Sequence, residues 1–264
     1  MAGATPAGGA APRRAVPLAV PAVVAVAWTA AVAAAVTGTA GFLDHDALFE
    51  RGPPAWAALA LFLLAWQAMV AAMMLPSSLP MVRHFGQVAV RQGRLPSAVS
   101  AFIAGYLVVW TLFGAAAVAG DGVVHRLADA VAWVDRHPWV MTGSVLLVAG
   151  AFEFSALKDK CLTECRAPAS FLVHQYLHGV HGSFRLGIAH GWYCLGCCWP
   201  LMLVMFAAGV SNLVWMAALT AVMVYEKVGR AGRRLTPVVG VALLVWGVLV
   251  VAHPAWLPGG LAGV

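Results

Sequence analysis

Charged side chains are scarce in this chain: Asp, Glu, Lys and Arg together make up 10% of its 264 residues, and only 10 of them are acidic. So few charges cannot clothe a water-facing surface on a fold of this size, which excludes an ordinary soluble domain. Long polar stretches, internal repeats and a low-complexity interior are also missing, so nothing suggests a second, soluble unit. What fills the chain instead is 62% hydrophobic residues, with a mean hydropathy of +0.86. Those values belong to an all-α, polytopic transmembrane helix bundle.

Apolar runs long enough for the roughly 30 Å hydrocarbon layer fall at Val16–Gly38, Ala55–Leu75, Ser97–Ala119, Trp139–Leu157, Leu186–Gly209 and Thr236–Ala252. A shorter run, Ser211–Tyr225, follows the fifth after the turn-forming Gly209-Val-Ser-Asn212. The expectation is therefore about seven spans, with six as the fallback. They form one domain over residues 16–253, between a disordered tail at 1–15 and a second tail at 254–264. The first run exceeds the 7–15 residues typical of a signal-peptide core, which makes it an uncleaved anchor.

Basic residues mark alternate loops: Arg13 and Arg14, then Arg83, Arg91 and Arg94, then Lys158, Lys160, Arg166 and Arg185, then Lys227, Arg230, Arg233 and Arg234. The intervening loops hold Asp44, Asp46 and Glu50, and Asp121, Asp129, Asp135 and Arg136. By the positive-inside rule the amino terminus is cytosolic and the protein is a multi-pass cytoplasmic-membrane protein. The net charge of +6 is then explained by topology and anionic lipid, with no nucleic-acid partner required. Between the third and fourth runs, Val124, Leu127, Val131 and Val134 have the spacing of an interfacial helix.

Cysteine is rare too, but its five occurrences form two clusters: Cys161 and Cys165 just past the fourth run, and Cys194, Cys197 and Cys198 inside the fifth. At about 100° per residue, His190, Cys194, Cys197, Cys198 and Met202 share one helix face. Thiolate, thioether and imidazole form a soft donor set that selects copper(I), with zinc or an iron–sulfur centre as alternatives. Cys161 and Cys165, four apart on a helix, make a possible entry pair in a cytosolic-side Cys/His segment over residues 159–186. A reducing compartment favours metal or redox roles over structural disulfides. Metal binding would ionise the thiols, so affinity would fall as the pH drops.

Further candidates are Met69, Met73 and Met74, which precede Pro76 and which core packing explains equally well. His174, His178 and His181 share a face if their segment is one helix, and could deliver ions inward. Glu153, a carboxylate in an apolar run, reads as a ligand, a proton acceptor or a partner of Lys158, whereas Glu226-Lys227 reads as a boundary ion pair. Pro200 should remove the hydrogen bond to the Gly196 carbonyl and open backbone beside the thiols. Gly187, Gly191 and Gly196 should admit another helix closely.

The runs Cys161-x-x-x-Cys165-Arg166-x-Pro168, His190-Gly191-x-Tyr193-Cys194-x-Gly196-Cys197-Cys198-Trp199-x-Leu201-Met202, Asn212-Leu213-x-Trp215-Met216, Glu226-Lys227 and Met69-x-x-x-Met73-Met74-Leu75-Pro76-Ser77 resemble those of a bacterial family of predicted metal-binding integral membrane proteins. That resemblance implies a bacterial inner-membrane protein with a metal site, without implying an activity. The function expected is copper handling, chaperoning or delivery at the cytoplasmic side, in contact with the lipid bilayer and a metal-donor or metal-acceptor protein. A membrane thiol–disulfide oxidoreductase and a structural subunit of a larger complex stand as alternatives. No catalytic residue is assigned, and the pattern favours binding over catalysis.

Overall fold

The computed structural model describes residues 19–39, 53–91, 95–137, 139–207 and 212–253. The two tails, Arg13, Arg14, Asp44, Asp46, Glu50, Arg94 and the turn at Gly209–Ser211 lie outside these residues, as do the side chains of Asp129 and Asp135.

Every regular element among the described residues is helical: α1 Ala19–Val36, α2 Ala55–Arg91, α3 Leu95–Ala130, α4 Ala132–Asp135, α5 Trp139–Phe152, α6 Ala156–Arg166, α7 Pro168–Gln175, α8 Gly179–Ala207, α9 Leu213–Val228 and α10 Gly232–Ala252. Four stretches are long and apolar enough to cross a membrane: Ala55–Val90, Pro96–Val124, Gly179–Met205 and Gly232–Ala252. The bent pair α5 and α6 would make a fifth.

Several boundaries differ from the sequence expectation. α2 continues past Leu75, through Pro76 and Pro80, to Arg91. Pro76 has no N–H to give the Ala72 carbonyl. That oxygen accepts instead from the Trp28 indole of α1 at 3.0 Å, which both satisfies the helix and clamps α1 to α2. α3 absorbs most of the segment expected to be a separate interfacial helix and ends at Ala130, leaving only the single turn α4. The run Trp139–Leu157 is broken: α5 stops at Phe152, and α6 leaves at 65° to it. Ser155 caps α6, its hydroxyl accepting from the Lys158 amide at 3.1 Å.

α8 is the hub, packed against α3, α5, α6 and α9. Small residues let these backbones approach. A Cβ at Gly187 would collide with the Phe102 carbonyl of α3, and one at Gly105 with the Phe184 carbonyl of α8. α5 and α10 meet in the same way, where a Cβ on Gly247 would lie 3.1 Å from the Gly143 carbonyl and 2.8 Å from the Leu147 side chain. At its start α9 is capped by Asn212, whose Oδ1 accepts from the amides of Val214 and Trp215. At its end Arg166 donates to the carbonyls of Glu226 and Gly229, supplying positive charge at the helix's negative pole.

Candidate metal centre

Cys194, Cys197 and Cys198 sit in the middle of α8, each 1% exposed, and all five cysteines are free thiols. Helical spacing turns the three sulfurs toward one side of α8, and the thiols of Cys197 and Cys198 each bond back to the Cys194 carbonyl, at 3.1 and 2.9 Å. Four other helices complete the surroundings.

The 65° break before α6 swings the other two cysteines onto this face. Cys165 Sγ lies 4.0 Å from Cys197 Sγ. Cys161 packs on Gly196, where an added Cβ would stand 2.6 Å from its sulfur, so the glycine is what lets α6 in. From α2, Met74 Sδ comes within 3.7 Å of Cys198 Sγ. Two sulfurs that share a tetrahedral ion at about 2.3 Å each stand about 3.8 Å apart. The Cys165–Cys197 and Cys198–Met74 pairs both have about that separation, so within each pair the sulfurs are spaced as two ligands of one soft ion would be.

The remaining partners are polar. Lys227 of α9 places Nζ 3.0 Å from Cys194 Sγ, 3.9 Å from Cys198 Sγ and 3.3 Å from Ser77 Oγ. Tyr106 of α3 holds its hydroxyl 3.2 Å from Cys194 Sγ. Ser78 donates to Tyr106 at 3.4 Å and meets His190 Nε2 at 3.3 Å, so a hydrogen-bonded chain links His190 to Cys194. Its ring is packed among Phe102, Tyr106 and Phe171. Behind the site, Lys158 pairs with Glu153 and, at 2.8 Å, with Glu226, all three being buried.

Met69, Met73 and Met202 belong to the same buried apolar cluster as the thiols, with Met205, Met216 and Met223. Met74 is the member of the Met69–Met74 group that reaches a cysteine sulfur. Glu153, one of the apolar-run candidates, takes the third of its expected roles, as a partner of Lys158.

His174, His178 and His181 do not share a helical face. α7 ends at Gln175, the chain turns through Gly179 at φ +84°, and His181 belongs to α8. All three are exposed, and His174 is tied to the Ser170 carbonyl at 2.8 Å. The expected boundary pair of Glu226 and Lys227 is also revised, since both are buried and each has partners of its own. Consecutive helical residues point about 100° apart, so neighbours in sequence are not neighbours on a face.

Lys227, Tyr106, Ser77 and Ser78 were not singled out from the sequence as parts of the centre. For Lys227 a signal existed: an ammonium at the end of an apolar helix is costly unless it is solvated or paired. Among the described residues, no three His, Cys, Asp or Glu side chains are grouped as a preformed metal cage. The arrangement is two sulfur pairs beside one buried cation.

A family model described as PpoB2, copper chaperone, matches residues 63–250. The chain belongs to this family. The match runs from α2 to α10 and so includes every side chain of the centre, which gives the PpoB2 chain a copper-related role. Comparison with curated proteins and with solved structures finds no match.

Proposed function

We propose that this chain is an integral membrane protein that accepts copper(I) as cargo and hands it to a partner protein at the cytoplasmic side of a bacterial inner membrane. The observation that carries the reading is the convergence of sulfurs from three helices, Cys165 on Cys197 at 4.0 Å and Cys198 on Met74 at 3.7 Å. In this scheme Cys194, Cys197, Cys198 and Met74 hold the ion, while Cys165 and Cys161 pass it in or out. Cys165 suits that role because it is only half-buried. His190 and Met202 line the site rather than complete it, and copper is preferred to zinc or an iron–sulfur centre on the family description and the thioether donor.

Membrane placement rests on outward-facing apolar surface. α10 carries Val238, Val241, Val245 and Val248 exposed, and only 28% of its apolar window is buried. A helix that is apolar all round and covered so little by protein needs lipid. About seven spans with a cytosolic amino terminus remains the proposed topology, on the positive-inside pattern.

The test is metal content of the purified protein. Stoichiometric copper, lost when Cys194, Cys197 and Cys198 are changed together to serine, is expected; an equally loaded triple variant overturns the reading. The same Cys165–Cys197 approach supports a second reading, thiol–disulfide exchange with a partner. Mass spectrometry after alkylation separates the two, since only exchange gives a trapped mixed disulfide.

A further inference from the structure

Lys227 is the cation in direct contact with the sulfurs, and nothing in its position resembles a surface lysine. It is 6% exposed, with Nζ 3.0 Å from Cys194 Sγ and 3.9 Å from Cys198 Sγ, and Ser77 Oγ at 3.3 Å fixes it from α2. Glu226, the adjacent carboxylate, is turned to Lys158 instead. An ammonium has three donors and no lone pair, so Lys227 cannot itself ligate a metal. Its contribution is charge.

We propose that Lys227 shifts the selectivity of the centre toward a monovalent soft cation and away from a divalent one. The proposal rests on the copper reading above. Thiols bind metal as thiolates. With Cys194, Cys197 and Cys198 ionised, Lys227 lowers the net charge of the group from −3 to −2, and the negative charge it cancels would attract a divalent ion more strongly than a monovalent one.

Other charges stand nearby, namely the Glu153–Lys158–Glu226 network and the Arg166 guanidinium at the end of α9. Comparing the protein with and without Lys227 holds them constant. Repulsion from Lys227 falls twice as strongly on a divalent ion as on a monovalent one. At a separation of about 5 Å and an effective dielectric of about 20, that difference is worth tenfold or more in relative affinity.

The experiment uses the full chain purified in detergent, equilibrated with buffered copper(I) and zinc(II) in competition, and reads both metals by elemental analysis. The parent protein should take copper(I). Lys227→Met and Lys227→Gln should raise the zinc-to-copper ratio by about tenfold or more, and Lys227→Arg, which keeps the charge, should restore the parent ratio. Should Lys227→Met fail to fold, Lys227→Gln is read alone, because it keeps a hydrogen-bond donor and removes only the charge. An unchanged ratio in the neutral variants overturns the proposal, as does an arginine variant that behaves like them. A parent protein that binds neither metal overturns the copper reading itself, which is a distinguishable result.

Discussion

Replacing Lys158 by methionine should open the interior of this bundle. The Lys158 side chain is 1% exposed, and its ammonium lies between the carboxylates of Glu153 and Glu226, which are 1% and 3% exposed. Methionine is close in length and apolar, so the packing loss is small and the electrostatic loss dominates. Two carboxylates are then left facing each other without a cation. Removing one partner from a buried ion group costs about 3–5 kcal/mol. Changing Glu153 and Glu226 to glutamine in the same protein removes the orphaned charges and should recover most of that loss, because an uncharged set of similar volume is often neutral. The readout is alkylation of Cys194, Cys197 and Cys198, which are reachable only when the protein opens. Where opening is fast and reversible, labelling follows its equilibrium, and 1.36 kcal/mol is tenfold, so Lys158→Met should label at least about a hundredfold faster than the parent. A variant that labels within about twofold of the parent refutes the reasoning.

Gly187→Ala would set a methyl group against the Phe102 carbonyl, backbone on backbone, so α3 and α8 must separate. The expected cost is about 1–3 kcal/mol, together with weaker copper uptake as Tyr106 is drawn away from Cys194; thermal unfolding and metal content check both, and an undisturbed variant refutes the close approach. Changing His174, His178 and His181 together to alanine should leave copper content unchanged, because these side chains are exposed and on different elements. A drop to half or less by elemental analysis would restore them to the metal path.

The parts of the fold that were legible in the sequence are those that follow from composition and period alone. Apolar runs located the long helices because length and hydropathy decide whether a helix can cross lipid. The helical face shared by Cys194, Cys197 and Cys198 was legible too, since 100° per residue is local geometry. Helix ends were less so. Hydropathy carries the fourth run through to Leu157, yet Ser155 caps a new helix and Glu153 turns toward Lys158, and neither effect registers in an average over apolar residues. The second run erred in the opposite direction: hydropathy ends it at Leu75, but α2 continues through Pro76, and the carbonyl that the proline leaves free is satisfied by Trp28 from another helix.

The centre was half legible for a related reason. Periodicity tells which residues share a face and says nothing of which helix lies opposite. Met69, Met73 and Met74 were equivalent candidates on composition, and only the packing of α2 on α8 distinguishes Met74, whose sulfur meets Cys198. The break before α6 has the largest consequence. On an unbroken span Cys161 and Cys165 would continue along the axis of α5; the 65° bend instead lays them over Gly196 and Cys197. A residue at 196 with a side chain would hold α6 off, so the glycine and the serine cap act together to bring sulfur from two helices to one place. That dependence explains why two cysteine clusters nearly thirty residues apart in sequence lie against each other, and why their spacing alone could not show it.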